Sequence, residues 1–168
     1  MIDDRIMEIL EKKSKYLVLN CQTNSSNVGE NIITKYRRAD AFTLDERELK
    51  HGFHYIAREH EKPLRALREH LGASCGWLTL GSFGALHVGG DSSQLRHCPA
   101  FTQSVVDTVG AGDAFFALAG LSAASYAKPE VATLLANMAG ALAANYLGNV
   151  SSVTKSWMLK SLRAYLTF

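Results

Sequence analysis

The stretch that most constrains this chain is Asp107-Thr108-Val109-Gly110-Ala111-Gly112-Asp113, which runs straight into the apolar segment Ala114-Phe115-Phe116-Ala117-Leu118-Ala119-Gly120. Two glycines around one small residue let the backbone turn tightly and approach a ligand closely. A helix opening there leaves its first N–H groups without intrahelical acceptors and turns its positive dipole end outward. Together these features make an anion hole suited to a phosphate. Asp113 stands at its edge, in or before the first helical turn. There the dipole favours a carboxylate, which suits a base that takes a proton from a hydroxyl. Asp107 can cap the turn or position a metal ion through water. The plainer reading is an ordinary loop-to-helix junction with an Asp near the N-cap. A lone Gly-x-Gly would favour that plainer reading, but the whole string leading into an apolar helix is far more specific.

Bulk properties narrow the rest. At 168 residues the chain fits one domain with a sizeable core. Its 47% hydrophobic and 20% charged content is that of an ordinary soluble globular protein, and a net charge of +2 gives no pointer to nucleic acid or an acidic membrane. Cys21, Cys75 and Cys98 are odd in number and widely spaced. They form neither a metal-ligand pattern nor a disulfide framework, which favours a reducing cytoplasm. The start, Met1-Ile2-Asp3-Asp4-Arg5, is unlike a signal peptide. The apolar runs at 114–124 and 131–147 are interrupted by polar residues and glycine and read as buried helices, not membrane spans.

Taken in order, residues 3–14 read as a short helix with Ile6, Ile9 and Leu10 on one face. Tyr16-Leu17-Val18-Leu19-Asn20 is a continuous apolar run, suited to a parallel strand covered on both faces. Turn formers crowd Cys21-Gln22-Thr23-Asn24-Ser25-Ser26-Asn27. A polar loop at the carboxyl end of a strand is where open α/β sheets place ligand contacts, and a simple solvated loop is the alternative. A second strand covers 39–44. Asp45-Glu46-Arg47-Glu48-Leu49 then opens a helix to about His60. Three carboxylates in four residues suit a helix N-terminus through the dipole. The same groups, Asp45 and Glu48 above all, are hard oxygen ligands of the kind Mg²⁺ takes.

Pro63, with Leu64, Leu67 and Leu71 at helical spacing, gives a further helix that Gly72 can end. Trp77-Leu78-Thr79-Leu80 is a third strand. Glycine turns at 81–84 and 89–92 flank Ala85-Leu86-His87-Val88, a hairpin-like arrangement. A helix is expected over 129–147, ended by Gly148-Asn149. Its Ala132, Ala136, Ala139, Gly140, Ala143 and Ala144 permit close packing against the 113–126 helix. A last helix covers about 155–165. The histidines, His51, His54, His60, His70, His87 and His97, have no catalytic partner in the sequence and read as solvated positions.

At its 107–113 string the chain resembles the ribokinase-like, PfkB-type family of carbohydrate kinases. The resemblance implies Asp113 as catalytic base and the Gly110, Ala111 and Gly112 amides as donors to the transferred phosphoryl group. It also implies that Thr79-Leu80-Gly81-Ser82-Phe83-Gly84, which fits the family's Thr-x-Gly-x-x-Gly pattern, lies along the nucleotide phosphates. Thr79, Gly81, Ser82, Gly84 and Thr108 would then contact ATP, and Asn137 falls where related kinases place a residue near the adenine. Asp45-Glu46-Arg47-Glu48 matches the family's Asn-x-x-Glu segment at a Mg²⁺ and phosphate position, with Asp in place of Asn. Glu48 carries over more directly than Asp45, where an amide donor has become a charge.

The fold implied is α/β, a Rossmann-like ribokinase fold with a mostly parallel sheet flanked by helices. The resemblance covers the chain from about residue 16 onward but only the C-terminal half of the family's fold. The N-terminal half, with its β lid and sugar pocket, is missing. The expectation is therefore one partial domain over 1–168, inactive alone. Its intact form would use ATP and Mg²⁺ to phosphorylate a sugar or sugar-like hydroxyl in the cytoplasm. The expected partners are the sugar, ATP, and either a second copy or the missing half. The 20–27 stretch also resembles PfkB kinases fused to a nucleotidyltransferase, as in heptose-type enzymes. The alternatives are a non-catalytic ATP-binding half-domain acting through a partner chain, or a structural α/β remnant.

Overall fold

A computed structural model describes residues 3–22, 31–53, 59–90, 94–101, 105–147 and 151–167. The fold is α/β, and its five strands form one sheet in the order β1-β2-β3-β4-β5. These are β1 (Val18–Asn20), β2 (Ala41–Asp45), β3 (Cys75–Thr79), β4 (Ala85–Gly89) and β5 (Arg96–Cys98). The helices are α1 (Asp4–Lys13), α2 (Glu46–Phe53), α3 (Glu61–Leu71), α4 (Ala111–Ala124), α5 (Pro129–Ala143) and α6 (Lys155–Leu166). The chain divides into two compact units, one made of Met1–Thr79 with Leu86–Arg96 and the other of Leu80–Ala85 with His97–Phe168.

In the first unit β2 lies between β1 and β3. It runs parallel to β1 (Leu19 opposite Phe42) and to β3 (Thr43 opposite Trp77). Ala41, Phe42, Thr43 and Leu44 are all buried, as the unbroken apolar character of a parallel strand requires. Leu49 of α2 and Leu64, Leu67 and Leu71 of α3 complete this core. Gly72, with φ of 61°, ends α3 in the left-handed conformation expected of a glycine cap. Observed strand ends differ from the expected ones by one or two residues. β1 starts at Val18 and not Tyr16, and β2 continues through Asp45.

Among the described histidines, His87 alone is buried and corrects the reading of solvated positions, while His70 and His97 are exposed as that reading expects. His87 is buried on β4 with its ring 5.2 Å from that of Trp77. His60 pairs with Glu46 at 2.8 Å, and the His70 Nε2 lies 2.9 Å from the carbonyls of Thr34 and Tyr36. His54 lies outside the described residues, as do most of the 21–27 loop and the 148–149 helix stop.

In the second unit α4 and α5 pack on each other. Ala132, Ala136 and Ala139 of α5 are buried, which bears out the role expected of its small residues. Met158 of α6 joins Met138 and Ala139 in this core. α5 ends at Ala143, short of the expected 147. The cause is a tertiary contact, since the Ala144 carbonyl accepts from the Val106 and Asp107 N–H groups at 3.0 and 3.2 Å.

Candidate active site

The 107–113 string forms the start of α4. The Asp107 carboxylate accepts from the Val109 N–H at 3.0 Å, and the Thr108 carbonyl accepts from the Ala111 N–H at 3.2 Å. Gly110 is the N-cap residue with φ of 81°, a left-handed conformation that a side chain would strain, and its carbonyl receives the Ala114 N–H at 2.9 Å. The N-cap residue, being glycine, offers no side chain of its own to cap the helix. Asp113 lies in the first turn and is exposed. Of the three amides implied as anion donors, that of Ala111 is already engaged inside the turn. Gly112 and Asp113 supply the next N–H groups, which have no intrahelical acceptor at this end.

The glycines of the unit differ in what holds them. A Cβ on Gly84 would lie 2.1 Å from the Cys98 carbonyl oxygen, and its φ is 95°, so the fold itself demands glycine there. Gly112 is the opposite case. A Cβ at 112 would meet nothing within 4 Å, and the residue has no left-handed φ. The protein's own packing leaves this position free to carry a side chain. The 81–84 segment forms a tight 3-10 turn over Gly81–Phe83, closed by the Leu80 N–H on the Gly84 carbonyl at 2.8 Å. Gly81 and Ser82 are exposed on it, and the His97 Nε2 sits 2.7 Å from the Phe83 carbonyl. Asn137 is buried, and its side-chain amide donates to the carbonyls of Cys98 and Pro99 at 3.0 and 3.3 Å. That bond between α5 and the end of β5 was not legible beforehand.

The expected metal residues belong to the first unit, at the carboxyl ends of its strands. Asp45 ends β2 and is the register partner of Thr79, which ends β3, and the Thr79 hydroxyl donates to the Leu44 carbonyl at 3.4 Å. Asp45 and Glu48 cap α2 reciprocally. The Asp45 carboxylate accepts from the Glu48 N–H at 2.8 Å, and the Glu48 carboxylate accepts from the Asp45 N–H at 2.9 Å. This is the helix-terminus reading realised as a capping box with Asp in the cap position. Beside them, Asn20 at the end of β1 donates to the Thr43 hydroxyl at 3.0 Å. Cys21 is buried and its thiol is pushed up to about 12, chiefly by burial and further by the neighbouring Glu48 carboxylate. Among the described residues no three His, Cys, Asp or Glu side chains gather closely enough to hold a metal ion. A carboxylate pair with hard oxygens still fits Mg²⁺, which keeps several waters and takes other ligands from phosphates.

The glycine turn with its first-turn carboxylate thus belongs to the second unit, and the acidic strand end at Asp45 to the first. The chain belongs to the pfkB family of carbohydrate kinases, whose sequence pattern matches residues 4–156. It is similar in structure to a ribokinase from Thermotoga maritima, with a TM-score of 0.76 and 21% identity over 97% of this chain and 54% of that one. A ribokinase from Arabidopsis thaliana, solved with ribose and ATP, matches with a TM-score of 0.73 and 20% identity over 95% of this chain and 51% of that one. The phosphofructokinase-2 of Escherichia coli, solved with substrates and products, matches with a TM-score of 0.66 and 22% identity over 81% and 44%. Comparison with curated proteins returns no match. The chain thus spans about half the length of the solved structures it resembles. Among the described residues no helix is long and apolar enough to cross a membrane.

Proposed function

We propose that this chain carries the nucleotide and phosphoryl-transfer half of a kinase that moves the γ-phosphoryl group of ATP onto a hydroxyl of a sugar or sugar-like compound. The observation that carries this reading is Gly112. The fold makes no use of its missing side chain, and the first turn of α4 is open to a ligand there. A phosphoryl group is the ligand that such a turn suits, because amide N–H groups and the helix dipole converge there.

In this reading Asp113 takes the proton of the attacking hydroxyl. The backbone at 110–112 donates to the oxygens of the moving phosphoryl group. Donors already held in place cost no reorganisation as charge develops. The 79–84 turn, with Thr79, Gly81, Ser82 and Gly84, lies along the nucleotide, with Thr108 and Asn137 as further contacts. Asp45 and Glu48 would hold Mg²⁺ through its water shell. When bound, the ion would neutralise phosphate charge. The Ala111 amide and the Asn137 side chain, both already bonded within the protein, are the weaker members of this set.

A second reading is favoured by length alone, since the chain spans 54% of the Thermotoga maritima ribokinase. It is that of an ATP-binding half that turns over no sugar without the rest of the fold. Calorimetric titration with MgATP, beside a Gly112→Leu variant of matched fold, tests the proposal. Binding that the variant loses supports it. Absence of binding in a chain shown to be folded sinks the nucleotide role for this polypeptide. Sugar phosphorylation by the chain would decide against the second reading.

A further inference from the structure

Within the second unit the 81–84 turn depends on its neighbours for its place. It has two glycines in the left-handed region, Gly81 at φ of 58° and Gly84 at φ of 95°. Glycines take many conformations when nothing holds them. The Phe83 N–H on the Leu80 carbonyl and the Gly84 N–H on the Gly81 carbonyl, both at 3.1 Å, close the turn locally but do not fix where it sits. Residues 97–100 do that. The His97 Nε2 lies 2.7 Å from the Phe83 carbonyl, and a carbonyl only accepts, so that nitrogen carries the proton. Gly84 lies against the peptides that follow, since a Cβ there would stand 2.1 Å from the Cys98 carbonyl oxygen and 2.6 Å from the Pro99 carbonyl carbon. This support is itself held. Pro99 has no N–H with which to anchor the stretch. The buried Asn137 of α5 supplies two N–H groups instead, donating to the Cys98 carbonyl at 3.0 Å and the Pro99 carbonyl at 3.3 Å. One carbonyl, that of Cys98, thus lies against Gly84 and is bonded by Asn137.

We infer that His97 and Asn137 are positioning residues for this turn, His97 through the Phe83 carbonyl and Asn137 through the Cys98–Pro99 backbone. The inference rests on the reading of 79–84 as the segment that lies along the nucleotide, and it refines the part that Asn137 plays there. Both N–H hydrogens of the Asn137 amide are spent on carbonyls, so the side chain keeps no donor for a base. Its influence reaches the ligand through the turn. A glycine turn that had to be ordered by the ligand would take that cost from the affinity, and one already clamped does not. Phosphoryl transfer depends above all on such positioning. The clamp acts on the phosphate segment, so it serves any ligand with the same phosphates, whatever its base.

Calorimetric titration of the intact chain with MgATP and with magnesium tripolyphosphate, which has the phosphates and no base, tests this. His97→Phe keeps a ring and loses the donor, and should raise both Kd values about threefold to fivefold. His97→Gln, whose amide can donate to the Phe83 carbonyl, should bring both back to within about twofold of the parent. Asn137→Leu, close in volume, should raise both about tenfold and by the same factor. Far-UV spectra establish that each variant is folded, and the exposed His97 carries the test if Asn137→Leu is not. Hydrogen exchange without ligand gives a second readout. In His97→Phe the Phe83 and Gly84 amides should exchange about threefold faster while the amides inside α5 keep the parent rate. Affinities and exchange that ignore His97→Phe overturn the clamp. An Asn137→Leu loss confined to MgATP makes Asn137 a base contact and overturns its positioning role. A folded parent that binds neither ligand sinks the nucleotide reading instead, and the exchange rates alone then decide whether His97 holds the turn.

Discussion

Gly140 of α5 faces the carbonyl oxygen of Ala111 so closely that a Cβ at 140 would stand 3.3 Å from it and 3.7 Å from the Phe115 Cβ. The backbone that opens α4 is therefore held from behind by a glycine on another helix. Gly140→Ala demands a shift of a few tenths of an ångström, partly offset by the better helix propensity of alanine. Gly140→Leu cannot be accommodated so cheaply and should cost about 1–3 kcal/mol in urea unfolding. If the turn is the anion site, the Leu variant should also lose affinity for MgATP beyond what its residual folded fraction explains. Calorimetry under conditions where the variant stays folded checks this.

Gly112 and Gly84 should respond oppositely to alanine. At 112 the side chain enters open space within a helix, so Gly112→Ala should hold or gain stability, by up to about 1 kcal/mol. In the proposed role it should nonetheless weaken nucleotide binding, because the methyl group occupies the ligand's place. Gly84→Ala meets the Cys98 carbonyl and a left-handed φ, and should cost about 3 kcal/mol or more. Thermal unfolding and titration of both variants together separate a ligand-imposed glycine from a fold-imposed one. A Gly112→Ala protein that binds as the parent does would remove the main support for the anion turn.

How far the sequence announced these features depends on whether their cause is local. The α2 start was legible because Asp45 and Glu48 are three residues apart, and the capping geometry lies in that spacing. The Gly72 cap and the α4 turn were legible for the same reason. The end of α5 was not, because it is set by Val106 and Asp107 reaching the Ala144 carbonyl from a distant loop. Asn137 was read only by its position in a family pattern. Its bonds to the carbonyls of Cys98 and Pro99 come from tertiary approach that no local pattern encodes. The burial of His87 and the tertiary bonds of His70 were missed for the same reason. The burial of His87 follows from its register on β4 beside Trp77, and the contacts of His70 from the passage of residues 34–36 across the end of α3.

The reciprocal Asp45–Glu48 cap makes a metal role separable from a structural one. Glu48→Ala and Asp45→Ala each remove a capping acceptor and should cost about 1 kcal/mol. Glu48→Gln retains an acceptor for the Asp45 N–H and should stay within about 0.5 kcal/mol of the parent. If Glu48 helps hold Mg²⁺, the Gln variant should still show a raised Mg²⁺ requirement for nucleotide binding. A Gln variant with an unchanged Mg²⁺ dependence would leave Glu48 as a cap alone.

Stability should fall in alkali, through Cys21 and Tyr36. Both are buried, and burial pushes each group up to about 12, the thiol from an ordinary value of 9.0 and the phenol from 10.0. Cys21 raises Tyr36 further, whereas the Tyr36 hydroxyl, through a hydrogen bond, offsets part of the rise at Cys21. A folded-state value above the unfolded one means that the unfolded chain releases its proton first. The contribution is then fully present below about pH 9 and is lost as pH rises towards 12. Denaturant midpoints should therefore decline steadily over that interval. Cys21→Ala should flatten the decline while lowering stability near neutrality through the lost packing. The same burial predicts that the Cys21 thiol reacts with a thiol reagent only as fast as the unit opens. Cys75 and Cys98, which are only partly buried, should be modified before it. Labelling with time, followed by mass spectrometry, reads the order directly, and early modification of Cys21 would contradict its place in the core.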